Sequence, residues 1–231
     1  MHARRASDQD LPRPHVTKDP PTQTQRWPAL TQSTMPSFVN KWTFFTPVMM
    51  GLELLRRRGL RSAIGTVHER LPLTPATRVL DVGCGIGTVL AQLKPYGCRL
   101  SGTDPTGAML WMARRRLPEA DLFQEPAHAM QSIGDASQDV TFVCSTLHGF
   151  DPDYRRQVYA ELARVTRELV VVIDYHENHN LLVAVTEWVE GGDYFRFVKT
   201  VDDELAAAFP RMEVQRVDPW ESLYLCWMRT P

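Results

Sequence analysis

Asp81, Gly83, Gly85 and Gly87 are the residues whose types and spacing first suggest chemistry. They lie in Arg78-Val79-Leu80-Asp81-Val82-Gly83-Cys84-Gly85-Ile86-Gly87-Thr88-Val89-Leu90, where an apolar run of strand type meets an acid, alternate glycines and a second apolar run. The pattern predicts a strand feeding a tight turn that opens a helix. Glycines remove the β-carbons that would hold a ligand off the backbone, and the first helical turn offers N–H groups to acceptor oxygens. The chemistry implied is the cradling of a small molecule. Further along the chain, polar residues follow other strand-type runs, among them Asp104, Glu125, Ser145, His148, Tyr175 and His176. Ligands of open α/β sheets sit beyond the carboxyl ends of the strands, so these positions are candidates for one shared site.

A dinucleotide fingerprint would require glycine or alanine at position 88, which here is Thr88. With Asp81 ahead of the three glycines, the chain instead resembles the class I S-adenosylmethionine-dependent methyltransferases, whose first motif is acid-x-Gly-x-Gly-x-Gly. The resemblance extends over about residues 75 to 227. It implies S-adenosyl-L-methionine as the cofactor, held beside Asp81, Gly83, Gly85 and Gly87. Asp104, in Leu100-Ser101-Gly102-Thr103-Asp104-Pro105, matches the acid that takes the ribose diol, a job suited to a rigidly placed carboxylate. Glu125 and Ala127, in Glu125-Pro126-Ala127-His128, fall where the family reads the adenine. Ser145 opens Ser145-Thr146-Leu147-His148-Gly149, similar to the small-molecule branch, where Leu-His-His is common and where Gly149 here replaces the second histidine. The Asn/Asp-Pro-Pro-Tyr run of DNA and glutamine methyltransferases does not occur at this position.

The implied reaction is in-line displacement at the sulfonium methyl by a small-molecule acceptor, which needs mainly alignment of the reacting atoms. A base is required only if the acceptor arrives protonated. His148 is the first candidate, followed by Tyr175 and His176, with Tyr175 also placed to hold a sulfonium by cation–π contact. Two alternatives share the motif. One is a cyclase that closes the cofactor to azetidine-2-carboxylate and methylthioadenosine, and the other is a binding module without turnover.

Composition narrows the class. The chain has 231 residues, 43% hydrophobic and 23% charged, values of an ordinary globular protein. Its 26 basic and 27 acidic residues give a net charge of -1, which argues against a protein devoted to gripping nucleic acid. Cys84, Cys98, Cys144 and Cys226 show neither metal-binding spacing nor a disulfide framework, so a cytoplasmic protein with reduced thiols is expected. No apolar run has the length of a membrane span, and none resembles a signal peptide.

The elements that must position the site follow from periodicity. Residues 1–36, rich in proline and poor in aliphatic side chains, read as a flexible tail, with Met35 as an alternative start. Residues 37–74 read as a helical cap whose first helix ends at Arg56-Arg57-Arg58-Gly59. Packing on the sheet is its expected role, and contact with a membrane surface the weaker one. From residue 75 to 231 strands and helices alternate, the mark of a Rossmann-like, mostly parallel α/β sheet with helices on both faces. The seven strands expected are Arg78–Val82, Arg99–Thr103, Asp121–Gln124, Val140–Cys144, Leu169–Asp174, Glu213–Val217 and Leu223–Trp227. Helices are expected over Thr88–Lys94, Ala108–Arg116, Asp153–Arg167, Leu181–Glu190 and Asp202–Phe209, with a substrate cap or surface turn at Glu187–Phe197. Asp218-Pro219-Trp220-Glu221 is too short for a parallel crossover, so the last two strands should form an antiparallel hairpin.

Overall fold

A computed structural model describes residues 58–176 and 193–229. The expected tail, most of the expected cap and the expected helix Leu181–Glu190 lie outside the described residues. Helix α1 covers residues 58–70. It is followed by β1 (Arg78–Val82), α2 (Thr88–Leu93), β2 (Arg99–Thr103), α3 (Gly107–Arg116), β3 (Asp121–Phe123) and β4 (Gln138–Cys144). A 3-10 turn over Leu147–Gly149 leads to α4 (Pro152–Val165), β5 (Thr166–Tyr175), α5 (Tyr194–Ala208), β6 (Arg211–Arg216) and β7 (Glu221–Trp227). Among the described residues no helix is long and apolar enough to cross a membrane.

The strands form one sheet in the order β3-β2-β1-β4-β5-β7-β6. Every pairing among β1 to β5 is parallel, while β7 runs antiparallel to both β5 and β6. The expected hairpin is therefore present, and its turn is set by Asp218, whose Oδ1 accepts from the N–H groups of Trp220 and Glu221. Strand order reverses between β1 and β4, and that is where a doubly wound sheet leaves a crevice at its carboxyl edge.

Helices cover both faces because the central strands are apolar on both sides. Val79, Phe142, Val171 and Ile173 pack on one face with Ile64 and Val67 of α1 and Leu90 and Leu93 of α2. Leu80, Val143, Val170 and Val172 pack on the other with Val158 and Leu162 of α4 and Phe197 and Leu205 of α5. Several boundaries differ from the sequence reading. Gly59 lies within helix α1 instead of ending one; a β-carbon there would come within 3.1 Å of Val217 and 3.2 Å of Asp218, so glycine lets the helix approach the hairpin. Helix α4 stops at Val165, because Thr166 already pairs with Gln138 as a strand residue and its hydroxyl is bonded to that of Thr141 at 2.6 Å. Helix α5 starts at Tyr194 rather than Asp202, since Phe197, Val198, Val201 and Leu205 form one buried stripe at helical spacing. Asp193 and Tyr194 to Phe197 are accordingly the N-cap and first turn of a packed helix, and residues 187–192 of the expected cap segment lie outside the described residues. Strands β6 and β7 each begin two residues early, at Arg211 and Glu221, because their ladder carries Arg211 opposite Trp227 and Arg216 opposite Ser222.

Arg155 joins α4 to α5. Its side chain is fully buried, with Nε and Nη2 donating to the two carboxylate oxygens of Glu204 at 2.8 Å each. Nη1 donates to the Phe150 carbonyl and to Asp193 Oδ2, and the guanidinium lies 5.2 Å from the centre of the Phe197 ring. The planar fork of arginine suits such a bidentate arrangement, and lysine could not reproduce it. Arg155→Ala should lower the unfolding free energy by about 3 kcal/mol, since it leaves the Glu204 carboxylate with the hydroxyls of Tyr159 and Thr200 but without its cation; urea titration measures this, and Arg155→Lys should recover only part of the loss.

Candidate active site

The turn after β1 is held to β2 through the Thr103 carbonyl, which accepts from the N–H groups of Gly83 and Cys84 at 2.8 and 3.0 Å. Gly83, Gly85 and Gly87 all have positive φ, at 73°, 52° and 78°. Their surroundings differ. A β-carbon on Gly83 would lie 2.7 Å from Thr146 Oγ1, and one on Gly87 would lie 2.5 Å from Leu117 Cδ1. At Gly85 it would meet no atom of the described residues within 4 Å. Of the three glycines expected to admit a ligand, only Gly85 faces open space, while the other two admit the protein's own side chains.

Two carboxylates stand behind this turn. Asp81, opposite Gly102 and Phe142 in the sheet, is almost fully buried, and its Oδ2 has no hydrogen-bond partner among the described residues. Burial, reinforced by the charge of Asp104, pushes its pKa up to about 8. Asp104 follows β2 and accepts from Gly85 N at 2.9 Å and Thr106 N at 2.8 Å. These bonds hold its carboxylate rigid beside Gly85. An orphaned acid, a fixed carboxylate and an open glycine together suit a ligand bearing a cationic group and hydroxyl donors.

A second group lies at the carboxyl ends of β4 and β5. Ser145 has φ 49°, uncommon for a residue with a side chain; its N–H donates to Ile173 O, and its hydroxyl donates to Glu221 Oε1 at 3.3 Å. His148, on the turn that follows, is bonded through Nδ1 to Asp174 Oδ1 at 2.7 Å. Asp174 has no solvent exposure and also accepts from the N–H groups of Thr146, Leu147 and Tyr175. Burial alone would raise its pKa, but His148 and the converging N–H groups hold it below the ordinary carboxylate value. The Tyr175 ring packs 4.8 Å from that of His148. The two groups adjoin, because Thr146 precedes His148 and is the residue that a Gly83 β-carbon would strike.

The remaining sequence candidates sit differently. Glu125 turns its carboxylate to Ser132, accepting from both the N–H and the hydroxyl, and so ties down its own loop. Ala127 beside it is buried. His176 is buried with neither ring nitrogen hydrogen-bonded, and burial followed by the charge of Arg216 lowers its pKa. Its N–H donates to Trp220 O, placing it against the hairpin turn. Asp174 and Glu221 are the polar residues of this edge that sequence reasoning did not single out. Asp174 could have been found by the rule that found Asp104, an acid closing an apolar strand. Glu221 carries no local signal, because only the antiparallel pairing brings it opposite Tyr175.

Residues 79–168 match the family model of the methyltransferase domain. Trans-aconitate 2-methyltransferase of Variovorax paradoxus is 30% identical over 168 residues, covering 67% of this chain and 64% of that protein. The enzyme of the same name from Paracidovorax citrulli is 36% identical over 85 residues, covering 35% of this chain and 33% of its own. The chain thus spans between one third and just under two thirds of the length of these relatives. Magnesium protoporphyrin IX methyltransferase from Synechocystis, solved with bound S-adenosylhomocysteine, superposes with a TM-score of 0.58 at 13% identity, over 75% of this chain and 83% of that one. Glycine turn, sheet order and family match agree: residues 79–168 form a methyltransferase domain, within the fold of solved S-adenosylmethionine-dependent methyltransferases. The cofactor that goes with such a domain is S-adenosyl-L-methionine.

Two measurements follow from this geometry. Gly85→Ala should cost about 1 kcal/mol from its positive φ alone, and Gly83→Ala more, because Thr146 must also move; chemical denaturation of the two variants reads the difference. The raised pKa of Asp81 means that the folded state retains a proton the unfolded chain releases. Its contribution to stability is therefore full below about pH 4 and is lost as pH rises through about 8. Thermal melts of the cofactor-free protein should show that decline, and Asp81→Asn should remove this part of it.

Proposed function

We propose that the protein is a methyltransferase that moves the methyl group of S-adenosyl-L-methionine to a small-molecule acceptor, in the cytoplasm. The observation that carries the reading is the conjunction, at the β1–β4 crevice, of the open Gly85 position with the orphaned Asp81 and the rigid Asp104. The relatives named for trans-aconitate support an acceptor of small size. When bound, the cofactor supplies a methyl group on a sulfonium, a leaving group that needs no further activation.

The chain's residues then have distinct tasks. Asp104 receives the ribose hydroxyls on the lone pairs that Gly85 and Thr106 leave open. Asp81, ionising as a cation approaches, neutralises the positive end of the ligand. Gly85 allows the backbone to come close, with Gly83 and Gly87 shaping the turn around it. Ala127 lies at the adenine edge beside Glu125, and Ser145 borders the methyl group at the end of β4. His148 and Tyr175 face the acceptor, with His176 the third candidate to take its proton.

Asp104→Ala should weaken cofactor binding by about 1.5 to 3 kcal/mol, the usual worth of hydrogen bonds to a charged group. Calorimetric titration with S-adenosyl-L-methionine measures it, and near-native affinity would overturn the ribose assignment. Gly85→Val should lose binding while keeping the sheet's circular dichroism. Product analysis tests the reaction itself: S-adenosylhomocysteine should form only when an acceptor is present, and methylthioadenosine without acceptor would replace transfer by ring closure.

A further inference from the structure

We propose that the outer face of α3 is a docking surface for an anionic lipid bilayer, on which the protein lies without crossing it.

Six large apolar side chains among the described residues stay exposed, and three of them, Met109, Trp111 and Met112, fall within four residues of α3. Single exposed apolar groups are ordinary, whereas such a concentration is the mark of a contact surface. Trp111 is 58% exposed. The helix does not use it for packing on the sheet: Leu110 and Ala113 form the buried stripe, with Leu117 just beyond, and Trp111, Met112 and Arg115 lie on the opposite side.

The charge on the same helix selects the partner. Helix α3 has no acidic residue and ends in Arg114, Arg115 and Arg116. Arg114 donates to the Leu122 carbonyl at 2.9 Å, and the Arg115 guanidinium lies 4.8 Å over the Trp111 ring. The next acid along the chain, Glu119, is taken by Lys94 at 2.7 Å, so among the described residues no arginine of α3 is paired with a carboxylate. A cavity of about 420 Å³ adjoins the end of α3, and Arg116 stands in its wall with Arg61 of α1 and Tyr96. Two guanidiniums and a phenol around one cavity suit a phosphate headgroup, which the arginine fork can hold by two hydrogen bonds.

A bilayer answers both features at once. Tryptophan favours the headgroup level, where its ring is buried and its N–H stays wet, and thioether side chains adapt to a fluid surface. Arginines beside them meet the negative potential of anionic lipid. An apolar side with a basic end is the arrangement of a helix lying in the interface plane. The contact is peripheral, since no described helix is long and apolar enough to span a membrane.

The test is co-sedimentation of the full-length protein with vesicles of equal parts phosphatidylglycerol and phosphatidylcholine, and with vesicles of phosphatidylcholine alone. Binding to the first should exceed binding to the second, and should fall when added salt shortens the Debye length from about 10 Å to about 3 Å. Arg115→Gln combined with Arg116→Gln should weaken partitioning about 25-fold, at roughly a factor of five per basic residue. Trp111→Ala should weaken it about tenfold, the order expected for burying a large apolar side chain. Arg196→Gln, exposed on α5 across the sheet, should change little. All these side chains are exposed, and circular dichroism matching the wild type verifies that the variants fold. Equal binding to both vesicles, no binding to the anionic vesicles at low salt, or binding that the α3 variants leave unchanged overturns the proposal. So does a dimer in sedimentation velocity that Trp111→Ala dissolves in a protein that ignores vesicles, a result that assigns the face to a second copy of the chain.

Discussion

Asp174 is a charge with no access to water, and such a charge persists only where donors surround it. Three main-chain N–H groups and the imidazole of His148 surround it, and three of these four partners belong to residues 146–148, the segment leaving β4. The demand of one buried carboxylate thus fixes the path of the chain beyond the fourth strand. That path presses Thr146 against Gly83 and stands His148 next to Tyr175, so the glycine turn and the β4 edge are shaped by the same constraint.

Buried carboxylates recur along this edge with different outcomes. Asp174 has more donors than burial can counter and stays ionised. Asp81 has an oxygen with none, and burial keeps it protonated until a cation arrives. Asp104 is aligned by two backbone N–H groups beside the open face of Gly85. One sheet edge therefore offers an ionised carboxylate, a protonated one and one aligned beside an open glycine, and the differences arise from donor count rather than residue type.

The two helical layers stabilise this edge unequally. On the face of α1 and α2 an apolar cluster holds the helices to the sheet. On the other face the α4–α5 contact also includes Arg155, whose bond to the Phe150 carbonyl reaches the end of the His148 turn. A buried guanidinium is a costly way to join two helices, and its value lies in orientation more than in net stability. It sets the entry into α4, and with it the place from which His148 departs.

Much of this was legible in the chain because local chemistry and global fold agree over residues 75 to 175. An apolar run of strand length, an acid and alternate glycines predict β1 and its turn, since positive φ and strand burial are local demands. Asp104 was legible for the same reason, as an acid closing a strand. What the tertiary structure decided was which glycine faces a ligand, because the neighbours of Gly83 and Gly87, Thr146 and Leu117, lie far along the chain. It also decided that Glu125 serves Ser132, that His176 turns to the hairpin and that Asp174 holds His148. Periodicity reports which face a residue occupies; which partner it meets there depends on strand order, and strand order is a property of the whole sheet.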